Sequence, residues 1–242
     1  MFKLPRVNPL SGLVSLFYPA LCAICSEPID SQAYLCPTCK AKAPRIKPPF
    51  CSTCSEPFDG HITEVFSCAN CAHRVLHFEA AVAAYRSRGV VRKIMHQFKY
   101  GQQIHLRRPI ADWLNETLQD PRLEGRRFDV VVPVPLHPAR KRERGFNQAE
   151  LLAELLSARA GLRMQELLER IRYTTTQTAF DRAERIENLR DAFRLRKKRD
   201  VRGLRVLLID DVLTTGSTLS ECARVLKAAG AISVHAATAA RA

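Results

Sequence analysis

The chain has 242 residues, room for one α/β domain and a smaller unit beside it. Its hydrophobic fraction of 46% permits a sizeable core, and 38 basic against 24 acidic residues give a net charge of +14. That excess suits a polyanionic ligand, either a diphosphate or nucleic acid, and charge alone does not separate the two. A membrane span is excluded: the apolar run Leu13 to Ala23 is too short and Pro19 interrupts it. Pro19-Ala-Leu-Cys22 lacks the small residue that precedes a cleaved or lipidated position, so the expected location is cytoplasmic.

Residues 1–75 read as a cysteine-rich module. Eight of the nine cysteines fall in four C-x-x-C pairs: Cys22/Cys25, Cys36/Cys39, Cys51/Cys54 and Cys68/Cys71. A C-x-x-C turn points both sulfurs at one centre, and two such turns complete a tetrahedron of thiolates. The spacing favours two structural zinc sites over a redox dithiol or an iron–sulfur cluster. Sequential and interleaved pairings of the doublets are both open, and His61 and His73 read as bystanders. Zinc contributes on the order of 10 kcal/mol to folding such a module, which a segment with little apolar core needs. No repeat longer than the doublets is read. Ala43-Pro-Arg-Ile-Lys-Pro-Pro49 is expected to be a stiff spacer between the two halves.

From Phe78 the pattern changes to alternating strands and helices. A strand is expected over Phe78 to Tyr85, a basic helix over Val90 to Tyr100, and a second helix over Ile104 to Leu118. Phe128 to Pro135 reads as a buried strand and Phe146 to Arg159 as a helix. A short strand is expected over Glu169 to Tyr173, a charged helix near Arg182 to Arg190, and a strand near Phe193. Ile232 to Ala240 closes the domain with one more strand. Such alternation predicts a parallel sheet with helices on both faces, residues 76–242, preceded by the zinc-ribbon-like module.

Two strand-to-loop junctions carry chemistry. At the first, Val130-Val-Val-Pro-Val-Pro-Leu-His-Pro138 runs into Arg140, Lys141, Arg142 and Arg144. A loop from Val134 through Pro135 and Leu136 to Pro138, its N–H groups turned outward, can hold a pyrophosphate within that positive field. Lys141 and Arg142 taken singly read as solvated charges. Arg144 is the favoured functional cation because Gly145 and Asn147 beside it begin a helix.

At the second junction the apolar strand Val206 to Ile209 ends, on this reading, at Asp210 and Asp211. The loop Thr214-Thr215-Gly216-Ser217-Thr218 and a helix from about Leu219 to Ala229 follow. Ligands of open α/β sheets bind beyond the carboxyl ends of the strands. A loop entering a helix there offers unpaired N–H groups, and the hydroxyls add donors for a phosphate. The two acids suit a vicinal diol, directly or through magnesium-bound water. Phosphate on the loop and a diol on the acids describe a ribose 5-phosphate. Neither G-x-x-x-x-G-K-[ST] nor G-x-G-x-x-G occurs. The plainer alternative is a βα turn with ordinary caps and two solvated acids. Cys222, in the helix beyond, is expected to be a small buried apolar side chain.

Ile209-Asp-Asp-Val-Leu-Thr-Thr-Gly-Ser-Thr218 resembles the phosphoribosyl-pyrophosphate (PRPP) motif of type I phosphoribosyltransferases. Pro133-Val-Pro-Leu136, Arg144-Gly-Phe-Asn-Gln148 and the N-terminal cysteines narrow the resemblance to the ComF/GntX family. Arg170-Ile-Arg-Tyr-Thr-Thr-Thr-Gln177 and Arg185-Ile-Glu-Asn188 are similar to its mobile loop, and Lys99-Tyr100-Gly101 to the segment after its first helix. The resemblance implies a type I phosphoribosyltransferase-like fold and PRPP with magnesium as ligand. It places Asp210 and Asp211 on the ribose hydroxyls, the Thr214–Thr218 loop on the 5-phosphate, Lys99 at the substrate, and Arg144 and Arg185 on the leaving pyrophosphate. It also implies an association with competence, DNA uptake or DNA utilisation. The acceptor is not legible. The alternative is a non-catalytic PRPP sensor or adaptor, with single-stranded DNA or a DNA-uptake helicase as partner. The run Arg194-Leu-Arg-Lys-Lys-Arg199 is the candidate DNA contact, or a solvated charged face.

Overall fold

The computed structural model describes residues 19–30, 33–62, 64–173 and 189–242. The apolar runs read from the sequence become the strands β1 (Ala81–Arg86), β2 (Val130–Pro133), β5 (Arg205–Leu213) and β6 (Ser233–Arg241). All four are parallel, in the order β1-β6-β5-β2. A separate two-stranded antiparallel ribbon pairs β3 (Leu168–Arg170) with β4 (Phe193–Leu195). The central strands are buried on both sides, which is why Val206-Leu207-Leu208-Ile209 is an unbroken apolar run rather than an alternating one.

Successive residues of β5 serve opposite faces. Leu207 and Ile209 join a core with the helices α3 (Gly89–Tyr100), α4 (Arg107–Glu116) and α6 (Gln148–Ala160). Val206 and Leu208 join a second core with α7 (Ser217–Ala228) and the β3–β4 ribbon. Trp113 of α4 is buried in the first core, its ring 5.2 Å from that of Tyr85. The expected parallel sheet with helices on both faces is therefore the fold found. The charged helix expected near Arg182 to Arg190 lies, except for its last two residues, outside the described residues; so does Arg185.

The strand carrying the two acids is longer than the sequence suggested. β5 continues through Asp210 and Asp211 to Leu213, still paired with β6, whose partner there is Arg241. Two acids in a strand looked like its end because carboxylates disfavour buried sheet, but neighbouring pairing on β6 holds the backbone extended.

The cysteine segment contains a longer repeat than the doublets. Cys22-Ala-Ile-Cys-Ser-Glu-Pro28 and Cys51-Ser-Thr-Cys-Ser-Glu-Pro57 share C-x-x-C-S-E-P, and each folds into the same tight turn. In both, the serine after the second cysteine is left-handed, φ 60° at Ser26 and 59° at Ser55, and its N–H donates back to the first cysteine carbonyl at 2.9 Å. A bridge closes each turn, Leu21 with Pro28 and Phe50 with Pro57. The second doublet of each half opens a short helix, α1 (Pro37–Ala41) after Cys36 and α2 (Ala69–Ala72) after Cys68.

The proline-rich stretch is not a detached spacer. Ile46 N donates to Ala84 O at 2.9 Å and Arg86 N to Pro44 O at 2.8 Å, so the chain lies along the outer edge of β1. The second cysteine turn covers the rest of that edge: Ala81 N donates to Thr53 O at 2.8 Å, and the buried Ser55 hydroxyl donates to Ala81 O at 3.0 Å. Arg122 fastens the turn, donating to the carbonyls of Cys51 (3.3 Å) and Ser52 (3.0 Å) and to Ser55 Oγ (3.0 Å) while paired with Asp120.

Candidate functional site: two cysteine centres and the carboxyl edge of the sheet

The eight doublet cysteines gather sequentially. Cys22, Cys25, Cys36 and Cys39 form one group and Cys51, Cys54, Cys68 and Cys71 the other, with all four sulfurs of each within 4.8 Å of one another. None is in a disulfide. A zinc–sulfur bond of about 2.3 Å in a tetrahedron sets sulfurs about 3.8 Å apart, so the thiolate cages fit zinc closely. Backbone amides support the thiolates: Cys39 N lies 3.3 Å from Cys36 Sγ, and Cys68 N 3.4 Å from Cys51 Sγ. Four protein ligands close each site to chemistry, so the role is structural. His61 and His73 belong to neither group, and Cys222 is wholly buried in the α7 core, as expected.

The pleat separates the two acids at the carboxyl edge. Asp211 faces the α3 side, where Lys99 Nζ lies 2.7 Å from its Oδ2. That oxygen has no aligned hydrogen-bond donor, so the contact is an ion pair. Burial alone would lower the Lys99 pKa, but Asp211 and then Asp210 raise it. Asp210 faces the α7 side, where its charge acts on Cys222 and Arg170. Its Oδ1 accepts from Asp211 N at 2.8 Å. Burial, and then the Asp211 charge, lift the Asp210 carboxyl to about 7. The acids therefore straddle the strand rather than sitting side by side, and a diol reaches both only across its end.

The Thr214–Thr218 loop turns directly into α7. Gly216 takes φ +76°, a left-handed conformation that glycine adopts without strain, and as the N-cap residue it offers no side chain, though Ser217 N donates to Thr215 Oγ1 at 3.4 Å. Thr214 is exposed, Thr215 and Thr218 are half-buried, and the Ser217 hydroxyl lies 2.9 Å from Thr215 Oγ1. First-turn amides beside four hydroxyls are groups that can hold an anion.

The Val134–Pro138 loop departs from expectation. Val134 N donates to Ile209 O at 2.9 Å and so is not turned outward. Pro135 and Pro138 have no N–H, which leaves the Leu136 and His137 amides for an anion. Asn147 braces the loop, its Nδ2 donating to Val134 O at 3.1 Å while Oδ1 accepts from Ala149 N and caps α6. Arg144 closes α5 (Pro138–Arg144), with Gly145 as its left-handed cap, while Asn147 opens α6 as expected. It meets the end of α3: its guanidinium stacks 5.1 Å from the Tyr100 ring centre, and Nη1 donates to Gln148 Oε1 at 2.7 Å. Gly101 permits the sharp exit after Tyr100, since a Cβ there would meet Gln97 O at 2.8 Å. Lys141 is paired with Glu150 at 2.7 Å and Arg142 is exposed, in keeping with solvated charges.

Four further residues take part to which the sequence alone assigned no role. Arg170 lies within electrostatic reach of Asp210 and His137. Tyr100 orients Arg144. Asn70 and Arg74, from the second cysteine centre, hold the Thr214–Thr218 loop itself. Tyr100 and Arg170 had a local signal, the one between Lys99 and Gly101 and the other at the head of the Arg170–Gln177 stretch.

A parallel sheet, an acid-bearing central strand and a hydroxyl-rich loop into a helix define a phosphoribosyltransferase-type domain, and residues 106–242 match the phosphoribosyl transferase domain family. Residues 13–76 match the double zinc ribbon domain. The DNA utilization protein YhgH of Salmonella typhi is 32% identical over 225 residues, covering 92% of this chain and 90% of its own. Competence protein F of Haemophilus influenzae is 30% identical over 167 residues, 67% of this chain and 73% of its own. The chain belongs to this ComF/YhgH family, phosphoribosyl transferase domains preceded by a double zinc ribbon. No helix among the described residues is long and apolar enough to cross a membrane.

Proposed function

We propose that this protein binds PRPP, or a related ribose phosphate, at the carboxyl edge of its sheet and transfers the phosphoribosyl group to an acceptor within DNA uptake or utilisation. The observation that carries this reading is the sequence of groups along one crossover: Asp210, Asp211, the hydroxyl loop and the start of α7. The 5-phosphate sits on the Thr214–Thr218 loop. Asp210 accepts from one ribose hydroxyl, and Asp211 offers the oxygen not engaged by Lys99 to the other. The leaving pyrophosphate meets Arg144 and the Leu136–His137 amides, with Arg185 as a further cation from the segment between β3 and β4.

Two carboxylates, one of them tied to a lysine, do not make a protein cage for a hard cation. They fit magnesium that arrives on the diphosphate and keeps its waters. When bound it would supply charge neutralisation on the departing oxygens. The chain's own contribution is positioning and preorganised positive charge. The relatives' names, competence protein F and DNA utilization protein, support the biological setting.

Calorimetry with PRPP and magnesium tests the site. Saturable binding is expected, and Asp210→Ala with Asp211→Ala should abolish it; binding that survives the double substitution removes the assignment. Pyrophosphate release across an acceptor library tests turnover. One observation favours a non-catalytic sensor or adaptor instead: His137, the imidazole at this loop, spends Nδ1 capping α5 at Ala139 N, 3.2 Å away. Burial and then the Arg170 charge lower its pKa. Binding with no pyrophosphate release would select that reading, with single-stranded DNA or a helicase as the downstream partner.

A further inference from the structure

We propose that the second zinc centre positions the phosphate loop, through a clamp made by Asn70 and Arg74. This rests on the reading of Thr214–Thr218 as the phosphate site and adds a controlling element outside the crossover. Asn70 lies on α2 between the ligands Cys68 and Cys71, and Arg74 three residues beyond. Asn70 Nδ2 donates to Thr215 O at 3.0 Å, and Arg74 Nη1 donates to the same carbonyl at 3.0 Å. Arg74 Nη1 also donates to Asn70 Oδ1 at 3.0 Å, so the two side chains brace each other. Arg74 Nη2 donates to Ser217 Oγ at 2.9 Å.

These bonds dictate where the loop's own donors point. The Thr215 carbonyl spends both lone pairs on the zinc side. In a planar trans peptide the N–H lies opposite the carbonyl, so the Gly216 N–H is turned away from the zinc centre. Ser217 Oγ accepts from Arg74, which anchors the hydroxyl 2.9 Å from Thr215 Oγ1, where either oxygen can donate to the other or to a bound oxyanion. A third tie, His77 N to Ser220 Oγ at 3.2 Å, holds the first turn of α7 to the same segment. The guanidinium thus works from behind the loop. It is a positioning residue that fixes hydroxyl and amide directions and adds positive charge beside the anion site.

Among the described residues the first zinc centre has no such connection. Its cysteines pack with Ile24, Ile29 and Leu35, and its surroundings join the core on the opposite face of the sheet, beside α3. The two centres should therefore be separable: one governs the phosphate loop, the other does not.

Hydrogen–deuterium exchange of the full zinc-loaded chain reads the clamp directly, at the Ser217 and Ser220 amides, without any ligand. Arg74→Ala with Asn70→Ala should speed exchange there about tenfold or more, the change expected for losing charge-assisted hydrogen bonds. Zinc content and the far-UV spectrum should stay as in the parent. Cys68→Ser with Cys71→Ser should loosen the same amides, and Cys36→Ser with Cys39→Ser should leave them protected. Unchanged exchange in the Arg74/Asn70 variant overturns the proposal. So does equal loosening from both cysteine pairs. PRPP titration of the same proteins is the separate arm: a parent chain that fails to bind PRPP sinks the ligand assignment, while the exchange result still judges the clamp.

Discussion

Lys99 Nζ stands 2.7 Å from Asp211 Oδ2, with side chains only 22% and 8% exposed, so a helix end and a central strand are joined by one buried charge pair. Removing one partner of such a pair leaves the other charge uncompensated, at a cost of about 3–5 kcal/mol when burial is complete. Lys99→Met should destabilise the fold by about 2 kcal/mol or more, a fall in Tm of about 4–8 °C for a chain of this size. Adding Asp211→Asn should restore most of the loss. Calorimetric melting of the single and double variants checks this; an unaltered Tm in Lys99→Met would show that the pair contributes nothing.

Asp210 gives stability a pH dependence of unusual sign for a carboxylate. Its folded pKa, about 7, lies above the ordinary aspartate value, so the folded state holds the proton more tightly than the unfolded chain. That contribution is fully present below about pH 4 and is lost as pH rises to about 7. Asp129 and Asp200, both lowered to about 2 chiefly by hydrogen bonds from Arg205 and Arg202, pull the other way. The informative quantity is therefore a difference. Relative to the parent, Asp210→Asn should gain stability progressively from pH 4 to pH 7.5. A difference that is flat across that range would place the Asp210 pKa near its ordinary value.

PRPP affinity should move with the same group. A hydroxyl donates to a carboxylate better than to a carboxylic acid, so binding should strengthen as pH rises through about 7 and level off above it. Titration at pH 6, 7 and 8 under constant magnesium reads this. A pH-independent affinity would separate Asp210 from the diol.

Metal analysis of the purified chain should return about two zinc equivalents, four thiolates to each. Substituting two cysteines of either group should remove about one. A single equivalent in the parent would mean that half the doublet cysteines serve another chemistry.

The basic run near β4 contributes fewer free charges than its composition suggests. Arg194 pairs with Glu169 at 2.7 Å, and Arg196 is occupied by Glu166 and the Leu168 carbonyl. Lys197 and Arg199 are exposed, and Lys198 sits in a left-handed turn at φ 61°. If the run meets single-stranded DNA, Lys197→Ala with Arg199→Ala should reduce the slope of log affinity against log salt by about 1.5, near 0.7 per phosphate contact. An unchanged slope excludes these residues as the contact.

The legible part of this chain was whatever is written locally. Period and composition located β5, β6 and the helices α3, α4, α6 and α7, because an apolar run such as Val206 to Ile209 has few other folds open to it. The cysteine spacing gave the zinc ligands, though sequential pairing needed the structure. Less visible was the length of β5: Asp210 and Asp211 oppose a strand locally, and only pairing with β6 carries it past them. Val134 was misjudged for a related reason, since its amide completes the ladder to Ile209. Asn70 and Arg74 were out of reach because their partners lie more than 140 positions away, at Thr215 and Ser217. The C-x-x-C-S-E-P repeat was there to be read, and attention to the cysteines alone hid it.

The outer margin of β1 has one more consequence. Its amides and carbonyls are satisfied by residues 44–46 and by the turn at Thr53 and Ser55, and that turn owes its shape to a metal-seeking cage. Stripping zinc would bare an unpaired row of peptide groups able to template another chain. A chelated sample should accordingly become turbid with time and concentration, and readdition of the ion before aggregation should prevent it.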